Sequence, residues 1–225
     1  MVLLGMLVSS AARAQDPGLF PSLNRPVAPA VSPVWESEAL RDRNREAGQV
    51  FDWLQLHAGD RVADIGTGSG YYATRLARLL GPTAIIYAED IHPGYLAELE
   101  ARLLREGLTN VRVIQGTRED PALTQASVDV AILGHMYHEI ANPYEFFYRL
   151  YPALSPGARV AIVEANRNVE RHGIPPDAVR CELHALGYRE LFFTPLLPGE
   201  SYLLVFSPPK RLPEIDTIEP CGYGH

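Results

Sequence analysis

The chain has 225 residues, 47% of them hydrophobic, and a formal net charge of −7. That length suits one domain with a sizeable core. With no basic stretch, the chain lacks the electrostatic footprint of a nucleic-acid or anionic-membrane binder.

The N-terminus reads as a separate object. Val2 to Val8 is a short apolar run, and Ala12-Arg13-Ala14 fits a small-x-small cleavage site. Residues 1–14 are expected to be a signal peptide, although no Lys or Arg precedes the run. The mature chain would then start at Gln15, carry no membrane span and be periplasmic or secreted; the alternative is a cytoplasmic protein. Pro17, Pro21, Pro26, Pro29 and Pro33 make residues 15–34 an expected extended linker rather than a packed element.

The folded part follows. Ala47, Val50, Phe51 and Leu54 mark a helix. Arg61 to Ile65 reads as a buried strand ending in a three-glycine turn, after which Ala73, Leu76, Ala77 and Leu80 recur at helical spacing. Thr83 to Asp90 is a second strand. Leu96, Leu99, Leu103 and Leu104 are the expected core face of a helix stopping near Gly107. Val111 to Ile114 and Val128 to Leu133 are the third and fourth strands. Asn142-Pro143-Tyr144-Glu145 carries the cap, proline and acid of a helix start, with Phe146, Phe147, Leu150 and Leu154 as its core face. The turn Ser155-Pro156-Gly157 leads into a fifth strand, Arg159 to Glu164. A helix through Val179, Leu183 and Leu186 ends at Gly187, and Tyr188–Thr194 and Ser201–Phe206 form a closing hairpin. The alternation predicts an α/β, Rossmann-like seven-stranded sheet, mostly parallel, with a C-terminal antiparallel hairpin and helices on both faces. This domain would span residues 35–206, followed by a Pro-rich tail over 207–225.

The segment Val62-Ala63-Asp64-Ile65-Gly66-Thr67-Gly68-Ser69-Gly70 is the most informative. Glycines let the backbone turn with positive φ and let a ligand lie against the main chain. A dinucleotide fold would use G-x-G-x-x-G to seat a pyrophosphate. Here the spacing is G-x-G-x-G, and Asp64 would repel a phosphate and favour a ligand with an ammonium group. The segment resembles motif I of the class I S-adenosylmethionine-dependent methyltransferases. The resemblance runs from Trp35 to Phe206 and includes Asp90-Ile91-His92-Pro93 and Leu154-Ser155-Pro156-Gly157-Ala158-Arg159. It looks closest to the small-molecule branch, which includes bacterial proteins with an export-like leader and a Tyr-His-Glu after the fourth strand.

The resemblance implies S-adenosylmethionine as cofactor and methyl transfer to a small-molecule acceptor. Asp64, Gly66, Thr67, Gly68 and Gly70 would hold the methionine end, and Asp90 the ribose hydroxyls, or Glu89 if the strand ends one residue earlier. The family often has Gly-Asp-Ala after strand three, with the acid on the adenine. Here Thr117 stands in that slot, so its hydroxyl or backbone, or else Glu119, would substitute. Tyr71, Tyr72 and Tyr137 offer aromatic faces to a sulfonium, whereas Tyr144 and Tyr148 read as packing residues.

Gly134-His135-Met136-Tyr137-His138-Glu139 follows strand four, where the acceptor is expected. His135, His138 and Tyr137 are the candidates to deprotonate or position it. The segment is neither His-Glu-x-x-His nor His-x-x-Glu-His, and Gly134 takes the slot where Mg²⁺-dependent catechol methyltransferases carry an acid, so no metal is expected. Cys181 and Cys221 would pair in an oxidising compartment and stay free in the cytoplasm. Two rivals stand beside this reading: an exported cofactor-binding protein without transferase activity, and a nicotinamide-dependent reductase. The acceptor atom and the oligomeric state are not legible.

Overall fold

The computed structural model describes residues 18–30, 36–196 and 198–222. The expected leader lies outside them. Helices α1 (Glu38–Arg43) and α2 (Glu46–Leu54) precede β1 (Arg61–Ile65). Then come α3 (Tyr71–Leu80), β2 (Ile85–Asp90), α4 (Pro93–Glu106), β3 (Val111–Gln115), β4 (Val128–Gly134), α5 (Pro143–Leu150), β5 (Leu154–Ala165), α6 (Pro176–Ala185), β6 (Arg189–Pro195) and β7 (Ser201–Ser207). The strands form one sheet in the order β3-β2-β1-β4-β5-β7-β6. The first five are parallel; β7 runs antiparallel to both β5 and β6. This is the seven-stranded Rossmann-like sheet expected.

Alternation along the strands divides the core in two. Val62, Ile86, Val130, Ile132, Val163 and Val205 face α2, α3 and α4, which contribute Val50, Leu54, Leu76, Leu99 and Leu103. Ala63, Ile65, Leu133, Val160, Ile162 and Phe206 face α5 and α6, which contribute Phe147, Leu150, Val179 and Leu183. Among these residues no helix is long and apolar enough to cross a membrane.

Four expectations are corrected. Leu104 is 84% exposed; the core face of α4 is Leu96, Leu99 and Leu103, because the next helical residue has already turned past the sheet. Leu154 opens β5 rather than closing α5. The segment 155–157 belongs to β5, which is irregular there: Ser155 Oγ donates to Asp129 Oδ1 at 2.6 Å and draws the segment onto β4. The described part of the proline-rich segment, residues 18–30, is packed. Arg25 is buried and ion-paired with Glu182 at 2.8 Å, Phe20 stacks edge-on against Tyr148, and Ala28 N–H donates to His138 O. The tail packs as well. Cys181 and Cys221 form a disulfide, Cys221 N–H donates to Tyr144 Oη at 2.8 Å, and Asn24 Nδ2 donates to Cys221 O.

The site follows from the register. The chain winds from β1 to β3 in one direction and from β4 to β5 in the other, so a crevice opens at the carboxyl ends of β1 and β4. Ile65 pairs with Glu89 on one side and with Leu133 on the other, which sets the glycine turn, the β2 acids and the His135–Glu139 segment around one opening.

Candidate active site

A cavity of about 350 Å³ occupies that crevice, within the usual range for a small-molecule site. Asp64, Gly66, Thr67 and Gly68 line one end, with Glu89, Asp90, Ile91, His92 and Thr117 beside them. Gly66 has φ 66°, a conformation side chains avoid, and a Cβ there would lie 2.8 Å from Met136 Cγ. Asp64 organises the turn: its Oδ2 accepts from Thr67 Oγ1 at 2.6 Å and from the Ala73 N–H at 2.9 Å. Burial pushes this carboxyl up to about 6, against the bonds from Thr67 and Ala73.

The β2 acids differ. Asp90 Oδ2 accepts from Gly68 N–H at 3.0 Å and its Oδ1 from His92 N–H at 2.9 Å. Glu89 Oε2 accepts only a long bond from Gly66 N–H at 3.4 Å, and Oε1 is buried with no partner among the described residues. Burial first, then the neighbouring Asp90, pushes Glu89 up to about 8, so at neutral pH it holds a proton and can donate. Gly116 leaves room for it: a Cβ there would stand 2.0 Å from Glu89 Oε1. Thr117 Oγ1 is committed locally, accepting from Asp120 N–H at 3.0 Å and Glu119 N–H at 3.3 Å. Glu119 does not line the cavity.

The middle of the cavity holds Tyr71, Tyr72, Arg41 and His135. The Arg41 guanidinium lies 3.5 Å from the Tyr71 ring centroid and 5.2 Å from that of Tyr72, so the aromatic faces expected to attract a cation already hold one. Arg41 pairs with Glu46 at 2.7 Å. Glu46 Oε1 also accepts from Tyr72 Oη at 2.6 Å and lies 3.4 Å from His135 Nε2. Burial raises the Glu46 carboxyl, but His135 and Arg41 outweigh it and hold it well below the usual range. Gly134 is needed because a Cβ there would meet Tyr72 Cε2 at 2.5 Å.

The far end is formed by His138, Glu139, Ile140, Phe146, Arg167 and His172, with Ala30 from the N-terminal segment. His138 is 1% exposed. Its Nδ1 lies 2.8 Å from Glu164 Oε1 at the end of β5, and its ring meets His172 edge-on at 5.7 Å. A carboxylate on Nδ1 selects the tautomer in which Nδ1 carries the proton and Nε2 is basic. Burial pushes the adjacent Glu139 up to about 7, against His138 and helped by Glu164 and Asp90.

Residues 56–182, more than half of the chain, match the family described as "Methyltransferase domain". The chain belongs to this methyltransferase family. A protein-L-isoaspartate O-methyltransferase of Fervidobacterium nodosum is 38% identical over 69 residues, 31% of this chain and 35% of that protein. A ubiquinone/menaquinone biosynthesis C-methyltransferase of Pseudomonas putida is 27% identical over 113 residues, 50% of this chain and 44% of that protein. The chain thus spans less than half the length of these curated relatives. In fold, it is similar to an S-adenosylmethionine-dependent methyltransferase of Aquifex aeolicus, with TM-score 0.67 and 22% identity over 75% of this chain and 95% of that one. It is also similar to a [4+2]-cyclase, with TM-score 0.64 and 14% identity over 84% and 86%. The sheet is therefore that of the class I methyltransferases, and the sheet alone does not name the reaction.

Among the residues expected at the site, the fold brings Asp64, Gly66, Thr67, Gly68, Asp90, Thr117, His135 and His138 onto the cavity. Gly70 instead starts α3 with φ 83°. Tyr137 turns away: it is fully buried, its Oη donates to Glu182 Oε2 at 2.7 Å and its ring packs on Phe147. It follows His135 and Met136 in a tight 3₁₀ turn (Tyr137–Glu139), which sends its side chain into the α5–α6 core. Arg41, Glu46, Glu164 and His172 escaped the sequence reading. Only Glu164 left a signal, as an acid at the carboxyl end of a buried parallel strand. Helix α1 was missed because it is a single short run; Glu38 fastens it to Arg102 at 2.5 Å and to Arg75 at 3.1 Å.

Proposed function

We propose that the protein is an S-adenosylmethionine-dependent methyltransferase whose acceptor is a small molecule, deprotonated at the His138–Glu164 pair. The observation that carries this reading is the meeting of the glycine turn, the β2 acids and a carboxylate-held histidine in one cavity. The cofactor fits the donors present. Asp64 suits an ammonium group, Asp90 and the protonated Glu89 suit ribose hydroxyls, and Glu89 Oε1 and His92 Nε2, which have no hydrogen-bond partner among the described residues, are buried polar atoms beside the cavity. The Thr117 hydroxyl and N–H are both committed to residues 119–120, so only its carbonyl is left to meet the cofactor.

When bound, the cofactor supplies a methyl group on a positively charged sulfur. The chain's part is alignment and proton removal. Glu164 holds the His138 ring, so His138 Nε2 takes the acceptor's proton and the imidazolium is stabilised by the carboxylate behind it. Ile140 and Phe146 give that end of the cavity an apolar wall that disfavours water.

We also propose that the protein works outside the cytoplasm. The Cys181–Cys221 disulfide supports this, since such bonds persist in oxidising compartments, as does the leader-like sequence of residues 1–14. The same pairing favours the second reading, a cofactor-binding protein without transferase activity, because S-adenosylmethionine is made in the cytosol. Calorimetric titration with S-adenosylhomocysteine and NADH, followed by a screen of phenols, amines and thiols for release of S-adenosylhomocysteine, tests these readings. Micromolar binding of S-adenosylhomocysteine with turnover of an acceptor is expected. Binding without turnover selects the second reading, and NADH binding alone overturns both.

A further inference from the structure

We propose that His138, Glu139 and His172 form a binding site for a divalent transition-metal ion, open to the acceptor end of the cavity. The three residues offer one donor atom each, all within 4.8 Å of one another. His138 Nε2 and Glu139 Oε1 are 3.9 Å apart. Bonds of about 2.1 Å in tetrahedral geometry would set donors roughly 3.4 Å apart, so the widest pair must contract by up to about 1.4 Å. Glu139 and His172 are only partly buried and can turn to do so.

Independent features of the surroundings point the same way. Glu164 on His138 Nδ1 is the arrangement by which metal-bound imidazoles are held, with the remaining nitrogen facing the ion. His172 is placed by an unusual backbone: its φ is 52°, a left-handed conformation uncommon outside glycine. Arg167 Nε donates to the His172 carbonyl at 3.2 Å and fixes the peptide there. Two imidazoles and one carboxylate suit zinc, iron or cobalt better than magnesium or calcium. Three protein ligands leave at least one position for an exogenous oxygen. His172 comes from the segment beyond β5, which is why the His135–Glu139 spacing alone gave no metal pattern.

The binding site stands on this geometry; only the ion's task rests on the methyltransferase reading. An acceptor hydroxyl bound at the open position becomes more acidic and is oriented by the ion. In that state His138 is a ligand, and the proton of the bound hydroxyl leaves to solvent water instead of to His138.

The test uses the full, disulfide-bonded protein without an affinity tag, stripped with chelator. Cobalt(II) is titrated in while its visible ligand-field absorption is followed, and S-adenosylhomocysteine binding is measured on the same samples. One equivalent of cobalt with an intense, low-symmetry spectrum is expected. His172→Asn, which tolerates the left-handed backbone, and Glu139→Gln should each abolish that spectrum while S-adenosylhomocysteine affinity is retained, which also shows that the variants are folded. Glu164→Gln keeps all three donors and should weaken cobalt binding by roughly 10- to 100-fold. Absence of cobalt binding in the wild type, or equal binding in His172→Asn, overturns the proposal and leaves the methyltransferase reading intact. Cobalt binding without S-adenosylhomocysteine binding supports the ion site and overturns that reading instead.

Discussion

The cofactor half of the cavity is assembled from neighbours in sequence, Asp64 to Ala73 and Glu89 to His92. The acceptor half takes His138 from beyond β4, Glu164 from the end of β5, His172 from the loop after it and Ala30 from the N-terminal segment. The first half is held largely by backbone N–H groups bonded to Asp64, Glu89 and Asp90. The second is held by bonds between distant segments, His138 to Glu164 and the Ala28 N–H to the His138 carbonyl. A half built from backbone presents the same ligand surface with little dependence on distant packing. A half built from distant segments exists only when the four of them are packed together, and its chemistry changes with any one of them.

The largest effect should come from breaking the acceptor half alone. His138→Gln is expected to lower turnover by about 10²- to 10⁴-fold and to leave S-adenosylhomocysteine affinity unchanged, as read by steady-state kinetics beside calorimetry. Loss of cofactor affinity as well would show that the two halves are not separable. Next, Arg25→Met should remove the ion-pair partner of the buried Glu182, which also accepts from Tyr137 Oη. Breaking such a pair typically costs about 3–5 kcal/mol, measurable by urea unfolding of the oxidised protein. A change near zero would mean that the N-terminal segment is not part of the folded unit.

Breaking the cofactor half should cost less. Asp90→Ala removes the acceptor for Gly68 and His92 as well as the proposed ribose contact. A loss of about 1.5–3 kcal/mol in S-adenosylhomocysteine binding is expected, roughly a 10- to 150-fold rise in Kd. An unchanged Kd would move the ribose contact to Glu89.

A pH dependence is the remaining test. Asp64 stands at about 6 in the fold against an ordinary 3.8, and Glu89 at about 8 against 4.5. Each holds its proton more tightly when folded. Their contribution to stability is therefore complete below about pH 4 and is lost as pH rises through 6 for Asp64 and through 8 for Glu89. Melting curves of the ligand-free protein should show this decline, and an Asp64→Asn, Glu89→Gln double variant should lack it. Parallel curves would argue against either acid being buried as described. Binding of a ligand ammonium should run the other way and tighten as Asp64 ionises above pH 6.

Much of the sheet was legible because its causes are local. Val128 to Leu133 is a continuous apolar run, Arg61 to Ile65 ends at glycines, and Asn142-Pro143-Tyr144-Glu145 carries a helix start that forms as expected, with Asn142 Oδ1 accepting from Glu145 N–H. Leu104 and the start of β5 were misplaced, since which residue of a turn faces the sheet depends on how the helix sits, and Ser155 joins β4 through Asp129. The prolines of the N-terminal segment read as an unpacked linker, and the residues that the structure describes there are packed. That the segment is packed depends on Arg25 meeting Glu182, 157 positions away.

By itself the sequence determined the order of the elements, the glycine turn with Asp64 and the acids closing β2. These rest on backbone conformation and periodicity, which act over a few residues. Only the tertiary structure decided which of the residues after β4 face the cavity. It turned Tyr137 into the core, set Glu164 behind His138 and brought His172 beside Glu139. The physical reason is that a charge or hydrogen bond acts over a few ångströms of space, whatever the distance along the chain.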